Sequence, residues 1–246
     1  MHSLDFDPPL MNAAGFLGFT PDAHGPVELE KLGAFVTNPI SIRPRKPAGG
    51  TRLLEYPGGA LLHSGHPNPG FKQAVRRFTR RWERAPLPVI AHLLVEEPGQ
   101  LESMAARLEE LGCIYALEIG LRHDVDLGAV GELLRAAAGE LPVIARLPVD
   151  RSVELTGTAM GAGAAAVSLG APRGALPGPD GELVHGRLVG PALFPGSLAA
   201  VETLAAMDIP VIGAGGVYAQ EQAEAMLAAD ALAVQLDAVL WRGGWR

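Results

Sequence analysis

Apolar and polar positions along this chain fall into two alternating patterns, short aliphatic runs and longer stretches with helical spacing. The runs Pro9–Ala13, Ala34–Asn38, Val89–Leu93, Ala116–Gly120, Val143–Leu147, Ala165–Leu169, Val211–Gly213 and Ala231–Gln235 lack the alternation of a sheet with one wet face. They therefore predict parallel strands buried on both sides. Between them, Gly99–Leu111, Asp126–Ala138 and Gln220–Ala228 place apolar residues on one helical face. Eight strands alternating with helices predict the α/β class and a (β/α)8 TIM barrel, with an open doubly wound sheet as the alternative.

An internal repeat points the same way. Leu87-Pro88-Val89-Ile90-Ala91, Leu141-Pro142-Val143-Ile144-Ala145 and Ile209-Pro210-Val211-Ile212-Gly213 enter the third, fifth and seventh strands alike. Proline at a strand entry ends the preceding helix and removes no ladder hydrogen bond. Two segments interrupt the rhythm, Arg43–Gly70 after the second strand and Gly170–Gly190 after the sixth. Connections that long are usually functional, and both are expected on the C-terminal face, where barrels build their sites. The barrel is expected to be trimmed at both termini, with Trp241 and Trp245 plugging the last gap or meeting a second copy of the chain.

The length of 246 residues suits one barrel domain spanning 1–246. Hydrophobic residues at 48% exclude a wholly disordered chain, and a net charge of −7 argues against a nucleic-acid binder. No run reaches the length of a membrane span, and Met1–Asp5 has no leader character. A single cysteine, Cys113, leaves no intrachain disulfide and suits a reducing, cytoplasmic setting. Cys113 precedes the fourth strand, on the side of a barrel that serves stability, and is expected to pack.

Several residues carry candidate chemistry. Gly213-Ala214-Gly215-Gly216-Val217 follows a strand and opens a helix, where glycines let N–H groups approach a phosphate; a tight turn would also need them. Met11-Asn12-Ala13-Ala14-Gly15 ends the first strand with residues small enough to lie under a flat ring. Arg146 closes the fifth strand, to stabilise negative charge in a site or to pair with an acid such as Glu118. His123, in the loop after the fourth strand, is the candidate general base, against the commoner case of a solvated loop histidine. His63 and His66 have no acidic or thiol third ligand nearby, so no metal site is expected. Lys72, Arg76, Arg77, Arg80, Arg81 and Arg84 form a basic stripe opposite Phe71, Val75, Phe78 and Trp82, as on a helix with one wet face.

With these residues in place, the chain resembles the dihydroorotate dehydrogenase family of FMN-dependent barrels. The resemblance runs through Gly33-Ala34-Phe35-Val36-Thr37, Pro67-Asn68-Pro69-Gly70, Gly190-Pro191-Ala192, and Ile209–Val217 followed by Val234-Gln235. It implies FMN as cofactor, with Ala13, Ala14 and Gly15 backing the flavin ring. Gly215 and Gly216 would donate to the phosphate, Gly190 would join the cofactor site, and Arg146 stands at a flavin-contacting lysine. A homodimer and a small-molecule substrate are also implied.

The departures are specific. The family's lysine after the second strand is replaced by Asn38-Pro39, and its asparagine floor by Leu62, Gly120, Val125 and Ala171. Such a floor cannot read the polar edges of a pyrimidine carboxylate. His123 falls where one class of the family carries its base. Asp237-Ala238 replaces the pair that completes the phosphate site, which puts a carboxylate toward a dianion. The sequence therefore leads to an FMN-binding oxidoreductase with an altered substrate. The alternative is a barrel that has lost FMN and catalysis and serves in binding or assembly.

Overall fold

The computed structural model describes residues 4–242 and Trp245. Met1–Ser3, where the leader reading begins, and three of the last four residues lie outside the described residues. Eight parallel strands form the barrel: β1 (Leu10–Asn12), β2 (Phe35–Val36), β6 (Val89–Leu94), β7 (Ala116–Gly120), β8 (Val143–Pro148), β9 (Ala166–Gly170), β12 (Val211–Ala214) and β13 (Ala233–Leu236). Each lies on a predicted run, and their pairing order follows the chain from β2 through β13 to β1. Pro39 follows β2, and the chain rejoins the sheet as β3 (Ile40–Ser41) beside β6.

The ring closes between β1 and β2 through a parallel bridge from Met11 to Ala34. Backbone pairing there is short, and the buried Asn12 side chain reinforces it. Its amide donates to the Val36 carbonyl at 2.6 Å and accepts from the Val36 N–H at 3.0 Å. Inside the barrel Ile90, Ala116, Ile144, Ala166, Ile212 and Ala233 form a layer of alternating large and small side chains. Phe6 and Leu4 cover it from the N-terminal end.

Among the described residues six α-helices cover the outside: α1 (Phe71–Trp82), α2 (Pro98–Leu111), α3 (Leu127–Ala137), α4 (Ser152–Gly161), α5 (Phe194–Ala205) and α6 (Gln220–Ala228). After β1 and after β13 the described chain forms only short 3-10 turns, Leu29–Lys31 and Ala238–Trp241. Trp241 partly fills the last gap, its ring 4.6 Å from Phe16 and its indole N–H donating to the Phe16 carbonyl at 3.0 Å. Helix α1 presents its basic stripe to solvent and buries Ala74, Phe78 and Trp82. Cys113 packs against the core, away from the barrel mouth.

The two long segments are more ordered than the expectation of loops allowed. Arg43–Gly70 contains β4 (Leu53–Tyr56) and β5 (Gly59–Leu62), and Gly170–Gly190 contains β10 (Arg173–Pro177) and β11 (Leu183–Val189). The hairpins join edge to edge, β5 to β11, into a four-stranded antiparallel sheet over the C-terminal mouth. Their pairing spans more than a hundred residues and leaves no periodic trace within either segment. The joint is tight, because a Cβ on Gly186 would fall 2.5 Å from the Leu62 carbonyl oxygen and 2.6 Å from Leu61 Cδ2. Replacing Gly186 by alanine should therefore cost about 1–3 kcal/mol, read as a lower urea midpoint at unchanged slope.

Candidate functional site

Toward the mouth, the inner faces of the strands turn from apolar to polar. His92 (β6), Glu118 (β7), Arg146 (β8), Ser168 (β9) and Gln235 (β13) meet in one layer. Glu118 is fully buried at the centre. One carboxylate oxygen accepts from His92 Nδ1 at 2.6 Å; the other accepts from Ser168 Oγ and Gln235 Nε2, each at 2.7 Å. Arg146 lies 3.6 Å from that second oxygen and donates to Gln235 Oε1 at 2.5 Å, so the expected pairing with Glu118 is present. Among the described residues no buried side-chain nitrogen or oxygen lacks a hydrogen-bond partner.

This network sets the protonation states. Burial alone would raise the Glu118 carboxyl, but the Arg146 charge and the His92 and Ser168 hydrogen bonds outweigh it and hold the pKa near about 2. Burial lowers that of His92 despite the bond to Glu118, which leaves a neutral imidazole. Its Nδ1–H donates to Glu118, so Nε2 is an acceptor. That atom faces Gly120, where a Cβ would fall 2.7 Å away. The Glu118 carboxylate thus fixes the tautomer and orientation of the imidazole.

Above the layer opens a cavity of about 860 Å³. Its floor includes Ala14, His92, Gly120 and Arg146, and its wall includes Pro39, Leu94, Pro148 and Ala171. Strand β11 delivers Arg187 into it, with the guanidinium 5.9 Å over the Phe16 ring. Burial and then the Arg146 charge lower the Arg187 pKa to about 10, against the opposing pull of Asp237. His66, at φ 51, sits beside them; burial and the Arg187 charge hold it neutral, near about 3. At the opposite edge His123 is half exposed and pairs with Asp150 at 2.6 Å. Arg151 fixes that loop by donating to the His123 and Val125 carbonyls at 2.8 and 2.7 Å.

Of the residues expected to act, the structure thus brings Ala14, Arg146 and His123 to one cavity. Ala13 is buried in the main hydrophobic core rather than lining the cavity, and Gly15 lies beside Arg187. Gly190 packs against the turn between β4 and β5, where a side chain would collide with Gly59. Gly215 and Gly216 have the positive φ of 103° and 77° that their turn requires, and abut the start of α5 at Ser197 and Phe194. None of these last three lines the cavity. Among the described residues no group of three His, Cys, Asp or Glu side chains is placed to hold a metal ion.

A family model described as "Dihydroorotate dehydrogenase" matches residues 1–120. A Trichlorobacter lovleyi protein named "Dihydroorotate dehydrogenase B (NAD(+)), catalytic subunit" is 31% identical over 95% of this chain and 84% of its own. The chain belongs to the dihydroorotate dehydrogenase family. A Pyrococcus furiosus protein of the same name is 29% identical over 100% of this chain and 87% of its own. The fold agrees: a crystal structure of the Eimeria tenella enzyme in complex with ferulenol superposes with a TM-score of 0.73. That match covers 96% of this chain and 77% of the other at 13% identity.

Members of this family generally bind FMN. The phosphate was expected on the N–H groups of Gly215 and Gly216, with Asp237-Ala238 in place of the pair that completes the site and its carboxylate opposing a dianion. Asp237 is buried, and its own carboxylate accepts from the Ala238 N–H at 2.5 Å and from the Gly216 N–H. The flavin ring was expected over Ala13, Ala14 and Gly15. The Arg187 fork stands there, 3.6 Å from where a Gly15 Cβ would be. The Asn38 side chain is engaged with the loop after β1, its oxygen accepting from the Gly18 N–H at 3.1 Å. As arranged, these residues do not fit FMN.

Two functional residues escaped the sequence. His92 interrupts an apolar strand at the position alternate to Ile90, and that single polar residue on an inner face was a readable signal. Arg187 left none, because it reaches the mouth only through the pairing of the two hairpins.

Glu118 links this site to stability. Its carboxyl lies below the ordinary 4.5, so its contribution is complete above that pH and is lost as pH falls toward about 2. Acid titration should therefore show a stability loss of roughly 3 kcal/mol in that window, absent from Glu118→Gln. That variant should itself be less stable at pH 7, because it leaves the Arg146 charge uncompensated.

Proposed function

We propose that this chain is a flavin-free member of the family whose barrel mouth receives a small anionic molecule, and that it does not oxidise dihydroorotate. The cavity's charge carries this reading. Six arginines line it against three carboxylates, in a chain whose net charge is −7. Arg122 is taken up by Asp124 at 2.7 Å and Glu96 at 3.3 Å, whereas Arg146 and Arg187 face the interior of the cavity. Guanidinium forks in a partly dry site match carboxylate or phosphate groups. A cationic cleft in an acidic protein also concentrates anions from solution. Of the four positions expected to replace the asparagine floor, Gly120 and Ala171 line the cavity, and neither can read the polar edges of a pyrimidine ring.

A second reading keeps the chain an FMN-dependent oxidoreductase with an altered substrate and His123 as base. The relatives named as catalytic subunits and the positive-φ glycines of the Gly215-Gly216 turn favour it. Both readings place the chain in the cytoplasm as a homodimer, for which the half-exposed Trp241 offers a contact surface.

The visible spectrum of the purified chain separates the two. The first reading expects no flavin bands, and flavin that survives gel filtration would decide for the second. In the same preparation succinate should raise the melting temperature, while chloride at equal ionic strength should not. Arg146→Gln should weaken succinate binding about tenfold or more by calorimetry.

A further inference from the structure

The two places where flavin does not fit are filled by side chains of complementary chemistry. At the phosphate end, two backbone N–H groups point into a buried space and need an anionic acceptor. The Asp237 carboxylate supplies it, 6% exposed and bonded to both Gly216 and Ala238. At the ring end, the small residues closing β1 leave a shelf that needs a flat group, because an open slot beside Phe16 would forfeit its contacts. The planar Arg187 guanidinium supplies it, 5.9 Å from the centre of the Phe16 ring and in the field of Asp237. The two side chains come from different parts of the fold, the hairpin over the mouth and the turn after the last strand, yet carry opposite charges.

We infer that Asp237 and Arg187 are built-in replacements for the phosphate and the ring of a flavin nucleotide, so that the barrel is complete without cofactor and these two side chains alone keep FMN out. This rests on the flavin-free reading above and extends it to named residues. It explains why the glycine turn persists in a chain that does not use it for phosphate: the turn still serves an anion, now one of its own. It also explains how two buried N–H groups remain satisfied.

The test is FMN titration followed by quenching of flavin fluorescence, on the native chain, Asp237→Gly, Arg187→Ala and the double variant, with riboflavin as the phosphate-free control. The native chain should not quench FMN. The double variant should bind FMN at least about 100-fold more tightly than the native chain, having lost a like charge and regained two donors. Asp237→Gly should prefer FMN to riboflavin, whereas Arg187→Ala should gain for both alike. If the native chain carries flavin, both this inference and the reading beneath it fall. If the native chain is colourless and the folded double variant still ignores FMN, this inference alone falls. Should Asp237→Gly not fold unaided, refolding with FMN present decides: recovery of folded protein supports the replacement, and no recovery overturns it.

Discussion

A single buried negative charge organises the mouth of this barrel. Glu118 sits where the strands leave the apolar interior, and a carboxylate there is tolerable only if its neighbours answer it with donors and positive charge. His92, Ser168, Gln235 and Arg146 do so from four other strands. The same bonds fix the tautomer of His92, the reach of Arg146 and the rotamer of Gln235. Two of the polar groups that face the cavity, His92 and Arg146, are therefore set by a residue that does not itself line it.

The fold was legible because it rests on local periodicity. Each barrel strand appears in the sequence as an apolar run, and the proline entries at Pro88, Pro142 and Pro210 mark where three of them begin. The thin covering after β13 was also legible, since few residues follow that strand, whereas the short turn that stands in place of a helix after β1 was not read. Strand pairing across the mouth was not, because β5 and β11 meet through contacts that neither segment encodes alone.

The site divides along the same line. Arg146 and its pairing with Glu118 could be read from positions at strand ends, and the conflict at Asp237 from the family resemblance. The resolution of that conflict could not, because it depends on the Asp237 side chain turning onto its own N–H groups. Gly190 shows a related limit: a glycine needed for close packing and one needed beside a ligand look alike in sequence, and its close approach to Gly59 appears only in the fold.

The hairpin sheet over the mouth has a consequence for how this site can change. In an antiparallel strand successive side chains point to opposite faces. Arg187 reaches the cavity because it stands opposite Leu62, while Gly186 packs beneath Leu61. Gaining or losing one residue in the turn between β10 and β11 would invert that order, withdrawing the guanidinium and presenting a neighbour without charge. Two residues would restore it. The electrostatic character of the mouth is thus tied to odd or even length in a surface turn, a property that point substitutions in the barrel leave untouched.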